Sequence, residues 1–162
     1  MDIVLICREG ETNSVLTNTA VAMDAVQSGK TAAVLFTEDA LAGLAGRAFG
    51  WAPALNDRGA RSLVSRGATA LGYPVANEKD TRSTDVLRLL RAASAAGVKL
   101  WGCPLWGRIL GVDGGGAPAG GSGGRPGESS FSVVPLPSEI TTLTKAQLLT
   151  ELQAAKTVVG GF

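Results

Sequence analysis

Two apolar runs of five residues, Ile3-Val4-Leu5-Ile6-Cys7 and Ala32-Ala33-Val34-Leu35-Phe36, constrain this chain more than any other feature. Neither alternates with polar residues, so each reads as a strand covered on both faces. A helical pattern lies between them. Thr12 or Asn13 suits its N-cap, Val15, Thr19, Met23 and Val26 share one face, and Gly29 suits its stop. A strand, a helix and a strand within the first 39 residues imply a parallel pair joined by a right-handed crossover.

The rest of the chain repeats the alternation. A short helix is predicted over residues 40–46. Residues 47–80 mix Gly, Pro and Arg with small apolar clusters, which predicts a short helix at 58–66 and a short strand near Val75. From Thr81 onward, Val86, Leu89, Leu90 and Ala93 form a helical stripe that Gly97 ends. A strand at 98–101 and a helix at 104–110 closed by Gly111 follow. Residues 131–134 read as extended, and 140–143 as a strand end or a lead-in. Thr144 with Gln147 makes a capping box, and Leu143 with Leu148 a hydrophobic staple. They open a last helix whose buried face is Leu148, Leu152 and Ala155, ahead of a short strand at 157–159. The expected fold is one three-layer α/β/α domain over residues 1–162 with a mainly parallel sheet. Ligands of such sheets bind outside the carboxyl ends of the strands, here the loops at 7–10, 37–39 and 102–105.

The chain contains no His, which excludes a Ser-His-Asp triad, a Cys-His pair and any His-containing zinc site. Two Cys cannot alone build a four-thiolate zinc site or hold an iron–sulfur cluster. With 15 Lys and Arg against 14 Asp and Glu, there is no electrostatic footprint for nucleic acid or an anionic membrane. No apolar stretch of about 20 residues is present to span a bilayer. The chain opens directly on Asp2-Ile3-Val4 without a basic n-region, so no signal peptide is expected. A cytoplasmic location follows, where both thiols stay reduced.

Nine of the 22 glycines fall between Gly111 and Gly127. This segment has no Lys, so it is not a phosphate loop. Gly114, Gly116 and Ala119 match a dinucleotide fingerprint, but no strand leads in and residues 118–127 cannot form the helix it needs. Residues 113–130 are therefore expected to be a flexible insertion, or alternatively a mobile cover over Cys103.

Cys103 stands where a strand passes to a helix, and Pro104 suits the first helical position, which makes Cys103 the N-cap. Free N–H groups and the positive end of a helix dipole are suited to hold a sulfur anion, and Arg108 follows one turn later. Trp101 and Trp106 flank the site as apolar walls. The plainer alternative makes Cys103 a small buried hydrophobe. Cys7 ends the first strand and reads either as core or as a second thiol in a relay. The carboxylates Glu9, Glu11, Glu38 and Asp39 offer two further options: an acid–base pair, or an Mg²⁺ site led by Asp39.

The segment Gly97-Val98-Lys99-Leu100-Trp101-Gly102-Cys103-Pro104, followed by Leu110-Gly111-Val112, resembles the strand–Cys–helix element of the DsrE/DsrF-like family. Leu136-Pro137-Ser138-Glu139-Ile140, then Leu148-Leu149 and Thr157-Val158-Val159, is similar to that family's closing strand–helix–strand. The strand at 33–37 and the short helix after it also fit. The resemblance implies a parallel five-stranded sheet between helices, and homo- or hetero-oligomers that are often trimers or hexamers. It further implies a persulfide on Cys103, exchanged between sulfur-donor and acceptor proteins with no metal or organic cofactor. Cys7 matches no motif of the family. Two alternatives stand beside sulfur transfer: a non-catalytic module that binds a small ligand or partner, and a thiol redox relay of Cys7 with Cys103.

Overall fold

The computed structural model describes residues 1–112 and 134–160. The two apolar runs form β1 (Ile3–Cys7) and β2 (Ala32–Phe36), paired in parallel with Leu5 opposite Val34 and Cys7 opposite Phe36. The helix α1 (Thr12–Gln27) makes the crossover between them. Its N-cap is Glu11, not Thr12 or Asn13, and no side chain caps it. The Thr12 amide donates instead to the Gly50 carbonyl at 2.9 Å, in a bridge between Glu11 and Gly50. A tertiary backbone contact thus does the work expected of a capping side chain.

β3 (Lys99–Gly102) pairs with β2, β4 (Thr141–Thr142) with β3, and β5 (Thr157–Gly160) with β1, all in parallel. The strand order is β4-β3-β2-β1-β5. On one face, Leu5, Val34, Phe36 and Leu100 pack among Val15 and Met23 of α1 and Leu89 and Leu90 of α4 (Val86–Ala95). Leu41 and Leu44 of α2 (Glu38–Gly46) join that core. On the other face, Val4, Ala33, Leu35 and Trp101 pack against Leu148 and Leu152 of α6 (Lys145–Ala154). Helices therefore cover both faces of a five-stranded parallel sheet, the expected three-layer α/β arrangement.

Between β2 and β3 the structure departs from the sequence reading. α3 (Arg58–Ala70) runs four residues past the expected end at Arg66. Val75 lies in no strand; a lone antiparallel bridge joins Ala76 to Thr84. α4 begins at Val86, because Asn77 and Asp80 hold the preceding residues in side-chain-capped turns. α2 begins at Glu38 rather than Ala40, and its C-cap Arg47 adopts a left-handed φ of 52°. The expected insertion at 113–130 and most of the extended segment at 131–134 lie outside the described residues.

The capping box of α6 forms in full: the Gln147 amide donates to Thr144 Oγ1 at 3.2 Å, and the Thr144 amide to Gln147 Oε1 at 2.9 Å. However, no residue of α6 is fully buried, so Leu148 and Leu152 only half fill the role assigned to them. A helix so lightly packed depends on its cap. Thr144→Ala is expected to lower stability by about 1 kcal/mol, read as a shifted urea midpoint with an unchanged m-value. Among the described residues, no helix is long and apolar enough to cross a membrane.

Candidate functional site

β1, β2 and β3 are parallel neighbours, so the loops at 7–10, 37–39 and 102–105 emerge along one edge. Backbone bonds stitch them together. The Thr37 amide donates to the Cys7 carbonyl at 3.0 Å, and the Ala40 amide to the Arg8 carbonyl at 2.9 Å. The Cys103 amide donates to the Phe36 carbonyl at 2.9 Å. Gly10 is required by this close approach, since a Cβ there would lie 2.7 Å from the Asp39 carbonyl oxygen.

Cys103 is the N-cap of α5 (Pro104–Ile109), with Pro104 at its first turn. Its carbonyl accepts the first helical bond from the Gly107 amide at 2.7 Å. α5 has only six residues, so few peptide dipoles add up at its start. β3 leads into α5 and β4 into α6, and between these helices lies a groove of about 660 Å³. Half-buried Cys103 lines this groove, as do Pro104 and Arg108. Leu105, Leu143, Leu148 and Leu149 form its apolar walls, and Lys145 adds a second cation.

Neither Trp101 nor Trp106 lines the groove. Trp101 is buried in the core beneath α6, and Trp106 packs against the core of the opposite face. The walls come instead from leucines: Leu105, in the loop expected at the site, and Leu143, Leu148 and Leu149, which sequence reasoning did not assign to it. Lys145 was missed as well. The capping box located Thr144, and hence Lys145 beside it, but no local signal tied that helix start to Cys103.

Cys7 does not join Cys103. Gly102, Phe36 and Cys7 lie abreast on neighbouring strands. Two strand spacings separate the Cα atoms of Cys7 and Gly102 by roughly 9–10 Å. A disulfide needs Cα atoms within about 7 Å. Cys7 is also wholly buried, among the residues between the sheet and α1. That burial pushes its thiol up to about 12, against the lowering influence of Ser14, whose hydroxyl lies 3.9 Å from Sγ. A redox relay between the two thiols therefore finds no geometry here.

The carboxylates are dispersed. Arg8 donates two hydrogen bonds to Glu38, at 3.0 and 3.1 Å, and Glu38 holds a left-handed φ of 51° at the start of α2. Glu11 stands at the N-cap position of α1 without capping it through its side chain, and its carboxylate accepts from Asn13 Nδ2 at 3.3 Å. Asp39 shares a shallow hollow with Glu11, and Glu9 lies outside that hollow. No group of three or more His, Cys, Asp or Glu suited to a metal occurs among the described residues, so the Mg²⁺ site led by Asp39 is not assembled.

Among solved structures, the chain is similar to the crystal structure of the YchN protein from E. coli. The match covers 99% of this chain and 98% of that one, with a TM-score of 0.53 and 14% identity. At this identity the likeness establishes the fold and not the family. No family model and no curated protein matches the chain.

Proposed function

We propose that this protein carries sulfur as a persulfide on Cys103 and passes it to an acceptor thiol. One observation carries the reading: the half-buried thiol opens on a groove whose charged lining residues, Arg108 and Lys145, are both cations. Such a lining suits an anionic sulfur. The DsrE-like fold supports the same reading at the level of architecture.

In the first step the Cys103 thiolate attacks the outer sulfur of a donor persulfide. A new S–S bond forms on Cys103, the donor's S–S bond breaks, and the donor leaves as a thiolate. In the second step an acceptor thiolate attacks the outer sulfur on Cys103, forms its own S–S bond, and restores the Cys103 thiolate. No net oxidation occurs and no cofactor takes part. The exposed Leu105 and Ile109 beside the groove provide apolar contact area for donor and acceptor proteins.

Incubation with glutathione persulfide followed by intact-mass measurement tests this. The unaltered protein and Cys7→Ser are expected to gain about 32 Da, one sulfur atom, and Cys103→Ser to gain nothing. A gain in Cys103→Ser overturns the reading. So does no gain in the unaltered protein while Cys103 still alkylates, which identifies the groove as a non-catalytic binding site.

A further inference from the structure

The segment that sequence reasoning resolved least, residues 47–80, builds with Arg82, Ser83 and Thr84 a second pocket that shares no lining residue with the Cys103 groove. Its volume is about 300 Å³, and Arg58, Arg61, Arg82, Asp80 and Trp51 line it. Three guanidiniums thus face one carboxylate. The whole chain carries a net charge of only +1, so this is a local concentration and not part of a basic surface.

Asp80 is already engaged. It accepts from Arg82 Nε at 2.8 Å and from the Arg82 amide at 3.1 Å. Arg58 and Arg61 make no ion pair among the described residues. Neighbouring Asp57 forms no ion pair with either among the described residues; its Oδ1 caps α3 by accepting the Gly59 and Ala60 amides at 2.7 and 3.2 Å. Arg61 Nε donates to the Asp57 carbonyl at 3.4 Å, which steadies the side chain and leaves its terminal amino groups for a ligand. Arg58 and Arg61 are three residues apart in the first turn of α3, hence on one face. Cations there oppose the helix dipole, so the energetics of the helix give no reason for them.

We infer that this pocket binds a small phosphate monoester, with the phosphate held by Arg58 and Arg61 and the organic group against Trp51. Guanidinium forks match phosphate oxygens two at a time. Half-buried Trp51 supplies a flat apolar wall for a ring. A volume at the low end for ligand pockets suits one ring and one phosphate.

Calorimetric titration of the full chain with phenyl phosphate, phenol and inorganic phosphate tests the assignment. Phenyl phosphate is expected to saturate one site and phenol to give no signal. Arg58→Ala combined with Arg61→Ala is expected to weaken phenyl phosphate at least about tenfold. Trp51→Ala is expected to weaken phenyl phosphate more than inorganic phosphate. If the double variant fails to fold, Arg58→Gln at its exposed position replaces it, with a severalfold loss expected. The inference is overturned by absence of saturable phenyl phosphate binding, by equal binding of phenol, or by binding that the arginine variants leave unchanged.

Discussion

In the native protein at about pH 8, a thiol reagent is expected to modify Cys103 and leave Cys7 unmodified until the chain unfolds. The thiolate is the reactive form, and burial pushes the Cys7 thiol from an ordinary 9.0 up to about 12. At pH 8 its thiolate fraction is then about one part in ten thousand, and access is blocked besides. Mass spectrometry of protein labelled with and without urea reads the difference. Equal native labelling of both thiols would sink the prediction. The same shift links stability to pH. The unfolded chain, with its thiol near 9.0, loses the proton first as pH rises. Stability from this group is complete below that value and falls through the window from 9.0 to about 12. The loss approaches about 1.4 kcal/mol per pH unit. Cys7→Ala is expected to flatten that part of the alkaline stability profile, measured by urea denaturation.

Phe36→Ala is expected to destabilise the protein by about 3–5 kcal/mol, a large share of the total for a domain of this size. Phe36 is fully buried at the carboxyl end of β2, between the sheet and the helices of the first face. Truncation leaves a cavity where β1, β2 and β3 are bonded together, and the parallel sheet there cannot slip to fill it. Phe36→Leu keeps most of the volume and is expected to lose less than about 1.5 kcal/mol. Denaturant titration distinguishes the two. Similar losses for both variants would show that the site collapses freely, contrary to the packing described. The Phe36 carbonyl still accepts the Cys103 amide in either variant, so Cys103 labelling in the folded fraction should persist.

Legibility followed the range of the interactions. β1, α1 and β2 were readable because an unbroken apolar run and a helical stripe are written within a few residues. The α6 capping box was readable for the same reason. Residues 47–80 were not. There the backbone follows side-chain-capped turns at Asn77 and Asp80, and a bridge from Gly50 to the start of α1, none of which leaves a periodic trace. The arginine pocket arises in that segment and just after it, from residues spread between Trp51 and Thr84.

Cys103, Pro104 and Arg108 belong to one local strand–helix joint, so their grouping was visible in the chain. The two tryptophans belong to the same joint yet misled. Strand pleat sends Trp101 to one face, and the turn of α5 sends Trp106 to the other. From apolar runs and periodicity alone came the alternation of strands and helices, the parallel pairing, and the edge at which to look. Those properties depend on neighbours in sequence. The order β4-β3-β2-β1-β5, the separation of Cys7 from Cys103, and the arrival of Lys145 and the leucines of α6 depend instead on packing between segments distant in sequence, as far apart as the paired Ile3 and Thr157. Covering the second sheet face was what brought α6 beside α5, and that burial completed the groove.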